Sequence, residues 1–162
     1  MSEDNDKQAQ LPPTSAIAHQ TTKTSDGWFE YPVRAYPHHT DYAGIVWHGS
    51  YLTWMEEARV ESLRSIGINF AELVALGCDL PVVELALRYH KPMRMGNDAI
   101  VRSRMLEMDG VRLNWEYQIQ SVDGLEVYVT GVVTLVAVDI EKGRIMRRLP
   151  ETVQDALVKL SR

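Results

Sequence analysis

"SYLTWMEEARVESLRSIG", residues 50–67, is the stretch whose reading decides the fold. At roughly 100° per residue, Tyr51, Trp54, Met55, Ala58, Ser62 and Ile66 fall on one face of a helix. Thr53, Glu57, Glu61 and Arg64 fall on the other. Ser50 or Gly49 can cap the start, and Gly67 can end it. A helix with one apolar stripe must bury that stripe, and the strands downstream supply the cover. "NFAELVALG" (69–77) reads as a second, short helix, after which the apolar period changes to two. "PVVELALRYH" (81–90), "DAIVRSRMLEM" (98–108), "VRLNWEYQIQSV" (111–122) and "LEVYVTGVVTLVAVDI" (125–140) read as strands. In the third, Val111, Leu113, Trp115, Tyr117 and Ile119 alternate with Arg112, Asn114, Glu116, Gln118 and Gln120, one face for the core and one outward. Asp109-Gly110 and Asp123-Gly124 are hairpin turns, and "KPMRMGND" (91–98) is a longer one. Upstream, "WFEYPVRAY" (28–36) reads as a first strand, where Pro32 marks an edge or an irregular start. "PETVQDALVKL" (150–160) reads as a C-terminal helix with Pro150 near its start. Strand, long helix, then four antiparallel strands give an α+β fold with the sheet wrapped around the central helix.

Composition bounds the function classes. The chain has 162 residues, enough for one domain with a real core. It is 45% hydrophobic and 24% charged, ordinary for a soluble globular chain. A formal net charge of −5 argues against a broad nucleic-acid surface, which needs clustered Lys and Arg. A single cysteine, Cys78, leaves no internal disulfide and fits a reducing compartment. No apolar run is long enough to span a bilayer, and "MSEDNDKQAQ" lacks a signal pattern, so the cytoplasm is the expected location. Residues 1–27 hold almost no large apolar side chain and read as a disordered tail, with the domain occupying 28–162 and order beginning near Trp28.

The residues for chemistry concentrate in "HHTDYAGIVWHGSY" (38–51), between the first strand and the long helix. His38, His39, Asp41 and His48 are metal-ligand types, but an extended strand points neighbours oppositely, so His38 and His39 do not share an ion. No HExxH or Cys-rich spacing occurs, and the expectation is no metal. Ser50 lacks a GxSxG elbow, and Cys78 in "ALGCDLP" has no activating group nearby, so it reads as a buried thiol. Asp41 is different. It precedes the helix start by a loop in which Gly44 permits a tight turn. The first helical turn, at His48, Gly49 and Ser50, carries unpaired N–H groups and the positive end of the dipole. Such groups can polarise a carbonyl that a carboxylate attacks, or that a water activated by it attacks. The alternative is that Asp41 only closes an Asx-turn.

"TDYAGIVWHGSYLTWMEEAR" (40–59) resembles the signature of hotdog-fold acyl-CoA thioesterases of the 4-hydroxybenzoyl-CoA thioesterase type, T-D-x-x-G-x-V-[WY]-H-x-x-Y followed by the central helix. Thr40, Asp41, Gly44, Val46, Trp47, His48, Tyr51, Glu56 and Arg59 match it. "YHKPMRMGND" (89–98) resembles the family's later Y-x-x-P-x-x-x-G-D turn, with Asn97 before Asp98. The resemblance covers about residues 28–158 and implies the hotdog fold. It implies that Asp41 is the catalytic carboxylate and that the backbone N–H of His48 polarises the thioester carbonyl. It also implies a homodimer or homotetramer with the site at a subunit interface.

The expected function is hydrolysis of an acyl-CoA thioester with no cofactor and no metal. The acyl group is expected to be aromatic, such as 1,4-dihydroxy-2-naphthoyl or 4-hydroxybenzoyl, with a fatty acyl-CoA or acyl-carrier-protein thioester as the rival. A dehydratase or a non-catalytic acyl-binding protein are the other classes. Gly44, Trp47, Gly49 and Tyr51 are the candidate substrate-binding residues, with core packing the alternative for Tyr51, Trp47 and Trp54. Arg88, Lys91, Arg94, Arg112, Arg147 and Arg148 are candidates for the coenzyme A phosphates, with Arg112 the one the family favours. Arg59 falls inside the apolar stripe and needs a buried partner, for which an ion pair with Glu56 is expected.

Overall fold

The computed structural model describes residues 22–161. The expectation of a disordered tail therefore lies outside the described residues as far as residue 21. Residues 22–27, which the expected tail includes, form a short strand and a turn. Strand β1 (Thr22–Lys23) pairs antiparallel with β2 (Phe29–Arg34), and the turn between them closes with Thr24 N–H donating to the Trp28 carbonyl at 2.7 Å.

The central helix α1 (Ser50–Ser65) follows β2 through an irregular loop. Its buried side chains include Tyr51, Trp54, Met55, Ala58 and Ser62, the stripe read from sequence. Gly67, at φ 85°, ends it: Gly67 N–H donates to Arg64 and Ile68 N–H to Leu63. A short α2 (Phe70–Ala75) is capped by the Asn69 side chain, which accepts from Ala71 N–H at 2.9 Å.

β3 (Cys78–Asp79) leads into β4 (Val82–Tyr89), and then β5 (Asp98–Met105), β6 (Arg112–Ser121) and β7 (Val127–Val136) complete the main strands. The large sheet is antiparallel in the order β1-β2-β5-β6-β7-β4. β4 does not sit beside β5, its sequence neighbour. It crosses to the far edge and pairs with β7. The expected strand over 125–140 divides: β7 ends at Val136, and β8 (Val138–Asp139) joins β3 and β9 (Arg144–Ile145) in a second, small sheet. Helix α3 (Glu151–Leu160) buries Val153, Leu157 and Leu160 against the core.

α1 lies on the inner face of the large sheet. One register row crosses five strands beneath it: Phe29, Ser103, Tyr117, Gly131 and Leu87. At Gly131 a Cβ would run into the Leu87 side chain and come within 3.1 Å of the Ala86 carbonyl, so glycine lets β4 lie close. Arg59, only 5% exposed, reaches down to this row, and its Nη1 donates to the Tyr117 hydroxyl at 2.9 Å. The expected ion pair with Glu56 does not form; Glu56 stays exposed, where its carboxylate keeps its hydration. Burial pushes the Tyr117 phenol up to about 12, with the Arg59 charge acting against it. On the outer face Trp28 is 8% exposed, covered by the guanidinium groups of Arg102 and Arg104 at 4.8 and 4.4 Å from its ring. Asp26 and Glu116 pair with those arginines at 2.8 and 2.7 Å.

Candidate active site

The loop between β2 and α1 begins with a 3-10 turn, Pro37–His39. That turn corrects one expectation. His38 and His39 are not on an extended strand, and their ring centroids lie 4.0 Å apart. The His39 ring is engaged: Nδ1 accepts from Tyr36 N–H at 3.0 Å, and the ring meets Trp54 edge-on at 5.0 Å. Desolvation first, then the neighbouring His38, hold its pKa below the ordinary histidine range. Its carbonyl accepts from both Trp47 N–H at 2.9 Å and Ser50 Oγ at 2.8 Å, which ties the loop to the helix start.

Residues 40–46 form a closed turn. Asp41 N–H donates to Ile45 O at 2.7 Å and Gly44 N–H to Asp41 O at 3.0 Å, with Gly44 at φ 74°. Asp41 Oδ1 accepts from Ala43 N–H at 2.9 Å and Ile45 N–H at 3.1 Å. The Asx-turn anticipated as the alternative role of Asp41 is therefore present. It occupies one carboxylate oxygen only. Oδ2 has no partner among the described residues, and the side chain is exposed. The turn is docked on the segment after β4: Val46 N–H donates to Met93 O at 2.8 Å, and Met95 N–H to Gly44 O at 2.9 Å.

At the start of α1, Trp47 O accepts from Ser50 N–H at 2.9 Å, whereas the N–H groups of His48 and Gly49 have no acceptor among the described residues. Gly49 is the N-cap and offers no side chain to fill that role. A Cβ there would collide with the Trp47 indole, which folds over the glycine and is itself 52% exposed. Trp47 thus shields the helix start rather than joining the core. Tyr51 and Trp54 are both buried, and Tyr51 also borders the cleft beside the helix start.

A cleft of about 290 Å³ opens beside this helix start, lined by Ile45, Val46, His48, Tyr51, Tyr89 and Lys91, among others. The sequence presents Tyr89 only at the head of the later turn, with no role at the helix start. Its hydroxyl donates to the His48 carbonyl at 2.9 Å, and its ring lies 5.7 Å from that of Tyr51. Only the crossing of β4 to the far edge brings the two together, which no local pattern announces. Asp41 does not line the cleft. Arg112 lies at the other end of the sheet: it pairs with Val136, beside the Val82 end of β4, whereas His48 sits at the Tyr89 end. Of the other phosphate candidates, Lys91 lines the cleft and pairs with Glu126 at 3.2 Å. Arg147 and Arg148 line a separate depression of about 530 Å³ with Lys142 and Arg144.

A family model described as the thioesterase-like superfamily matches residues 36–157, from the 3-10 turn to α3. The chain belongs to the thioesterase-like superfamily. Over 157 residues it is 55% identical to a candidate esterase of Synechocystis sp., covering 93% of this chain and 95% of that one. It is 30% identical over 95 residues to an acyl-CoA thioester hydrolase of Escherichia coli, covering 59% of this chain and 71% of that one. The fold is shared with a 1,4-dihydroxy-2-naphthoyl-CoA thioesterase of Synechocystis, at TM-score 0.75 and 21% identity, covering 83% of this chain and 98% of that one. A Thermus thermophilus protein of unassigned function matches at TM-score 0.74 and 28% identity, over 81% and 98% of the two chains. The sheet wrapped around α1 is the hotdog fold of these proteins.

Proposed function

We propose that this thioesterase-like protein hydrolyses the thioester of an aryl acyl-CoA, releasing the free acid and coenzyme A. The observation that carries the reading is the loop from Asp41 to Gly49. One carboxylate oxygen and two helix-start amides, all without partners among the described residues, lie on one loop that the turn at 40–46 braces. The His48 and Gly49 N–H groups hold the thioester oxygen as negative charge develops on it. Asp41 acts as nucleophile, forming an acyl-carboxylate anhydride that water then opens, or as general base for an attacking water. The aromatic rings of Tyr51, Tyr89 and His48 around the cleft support an aryl acyl group.

The site is completed by a second copy. Among the described residues β4 pairs with β7 on one side only, and its Val82, Val83, Leu85 and Tyr89 side chains are exposed. Antiparallel self-pairing of β4 places the Val82 end of one copy beside the Tyr89 end of the other. The sheet end bearing Arg112 in one subunit then meets the end bearing His48 in its partner, which puts a basic group within the reach of a coenzyme A phosphate. Cys78 is free and buried, and burial pushes its thiol up, so it takes no part in the proposed reaction.

Turnover of a panel of aryl and fatty acyl-CoA and acyl-carrier-protein thioesters tests the reading. Aryl acyl-CoA thioesters should give the highest kcat/KM, with no loss on treatment with a chelator. Preference for fatty acyl chains would overturn the aryl assignment, and binding without turnover would make the protein an acyl-binding module.

A further inference from the structure

We infer that Tyr89 is a positioning residue for the oxyanion-holding amides: its hydroxyl fixes and polarises the His48–Gly49 peptide. The inference rests on the thioesterase reading and deepens it. Tyr89 Oη donates to the His48 carbonyl at 2.9 Å. That carbonyl and the Gly49 N–H belong to one planar trans peptide unit. A hydrogen bond accepted at the oxygen fixes the direction of the opposed N–H and draws electron density from it, so the amide becomes a stronger donor. Gly49 N–H is one of the two helix-start amides without an acceptor among the described residues. Gly49 has no Cβ and no capping side chain, so nothing of its own holds the peptide plane. On one side the Trp47 indole lies over the glycine. On the other, the Tyr89 ring packs at 5.7 Å from buried Tyr51, which keeps the hydroxyl in place. Tyr89 is also the last residue of the edge strand β4. The same side chain therefore connects the strand proposed to pair between subunits with the peptide that holds the substrate oxygen.

Tyr89→Phe keeps the ring against Tyr51 and removes only the donated bond. It is expected to lower kcat roughly fivefold with KM unchanged, less than the loss of a direct oxyanion donor. The Gly49 amide nitrogen should move upfield in its NMR spectrum, since it no longer feels a hydrogen-bonded carbonyl, while the thermal midpoint changes little. A structural role alone would shift the midpoint and leave the split between kcat and KM unmarked. Unchanged kcat, or a rise in KM alone, overturns the inference. If the wild-type protein turns over no thioester, the functional reading fails by itself, and the Gly49 shift still decides whether Tyr89 polarises this peptide. Should the variant not fold, 3-fluorotyrosine at position 89 keeps the side chain and makes its hydroxyl a stronger donor: the Gly49 amide nitrogen should then move downfield, and an unmoved shift means no bond carries the effect.

Discussion

His39 shows what one residue does in the bracing of this site. Its ring accepts from the Tyr36 amide and packs on Trp54, while its carbonyl holds Trp47 and Ser50. Desolvation and the adjacent His38 lower its pKa, with Glu57 opposing them, so the folded state binds the proton less well than the unfolded chain. The stabilisation it gives is thus fully present above the unfolded value near about pH 6.5 and is lost as pH falls through the lower folded value. Denaturant unfolding measured from about pH 8 down to about pH 5 should show stability declining in that window, and His39→Gln should flatten the decline. An unchanged slope in the variant would remove His39 from the bracing. The sequence made Asp41, Gly44 and His48 legible because loop glycine, carboxylate and helix start follow one another within a few residues. It hid Tyr89, which meets His48 across 41 positions. The Arg59 partner was hidden for the same reason: Tyr117 is 58 positions away, and an i,i+3 carboxylate looked nearer.

At the scale of elements, α1 and the strands β4 to β7 were readable from their apolar periods. α1, β5 and β6 bury a single face as those periods require, whereas β4 is exposed along both faces. Their adjacency was not. Periodicity says that β4 is a strand and nothing about its crossing to β7, which leaves it at the edge. The split of the long apolar run at Ala137 was also hidden, because a strand changing sheets keeps the same hydrophobic character. The exposed apolar side chains of β4 are the element-level ground for the proposed self-pairing. Leu85→Lys puts a charge on that edge, a device by which edge strands refuse pairing. In sedimentation the wild type should run as a dimer or larger and the variant should shift toward monomer with loss of turnover. A monomeric wild type would contradict the self-pairing of β4.

In the whole molecule, one protomer holds the carboxylate, the amides and a cleft, but not all on one surface: Asp41 stands outside the cleft and Arg112 lies at the far end of the sheet. The proposed pairing of a second copy through β4 would bring Arg112 of one subunit to the helix start of the other. The fold places the candidate site beside the exposed edge strand β4 and leaves the core to hold the turn rigid.

The central claim, that the Asp41 carboxylate carries thioester hydrolysis, is tested most directly by Asp41→Asn. Asparagine retains a side-chain oxygen to accept from Ala43 and Ile45 N–H, so the turn survives while the charge and the basic oxygen are lost. With the best acyl-CoA of the panel, kcat should fall by at least about 10²-fold with circular dichroism and KM little changed. Full activity in Asp41→Asn would contradict the account and leave Asp41 a turn-forming residue.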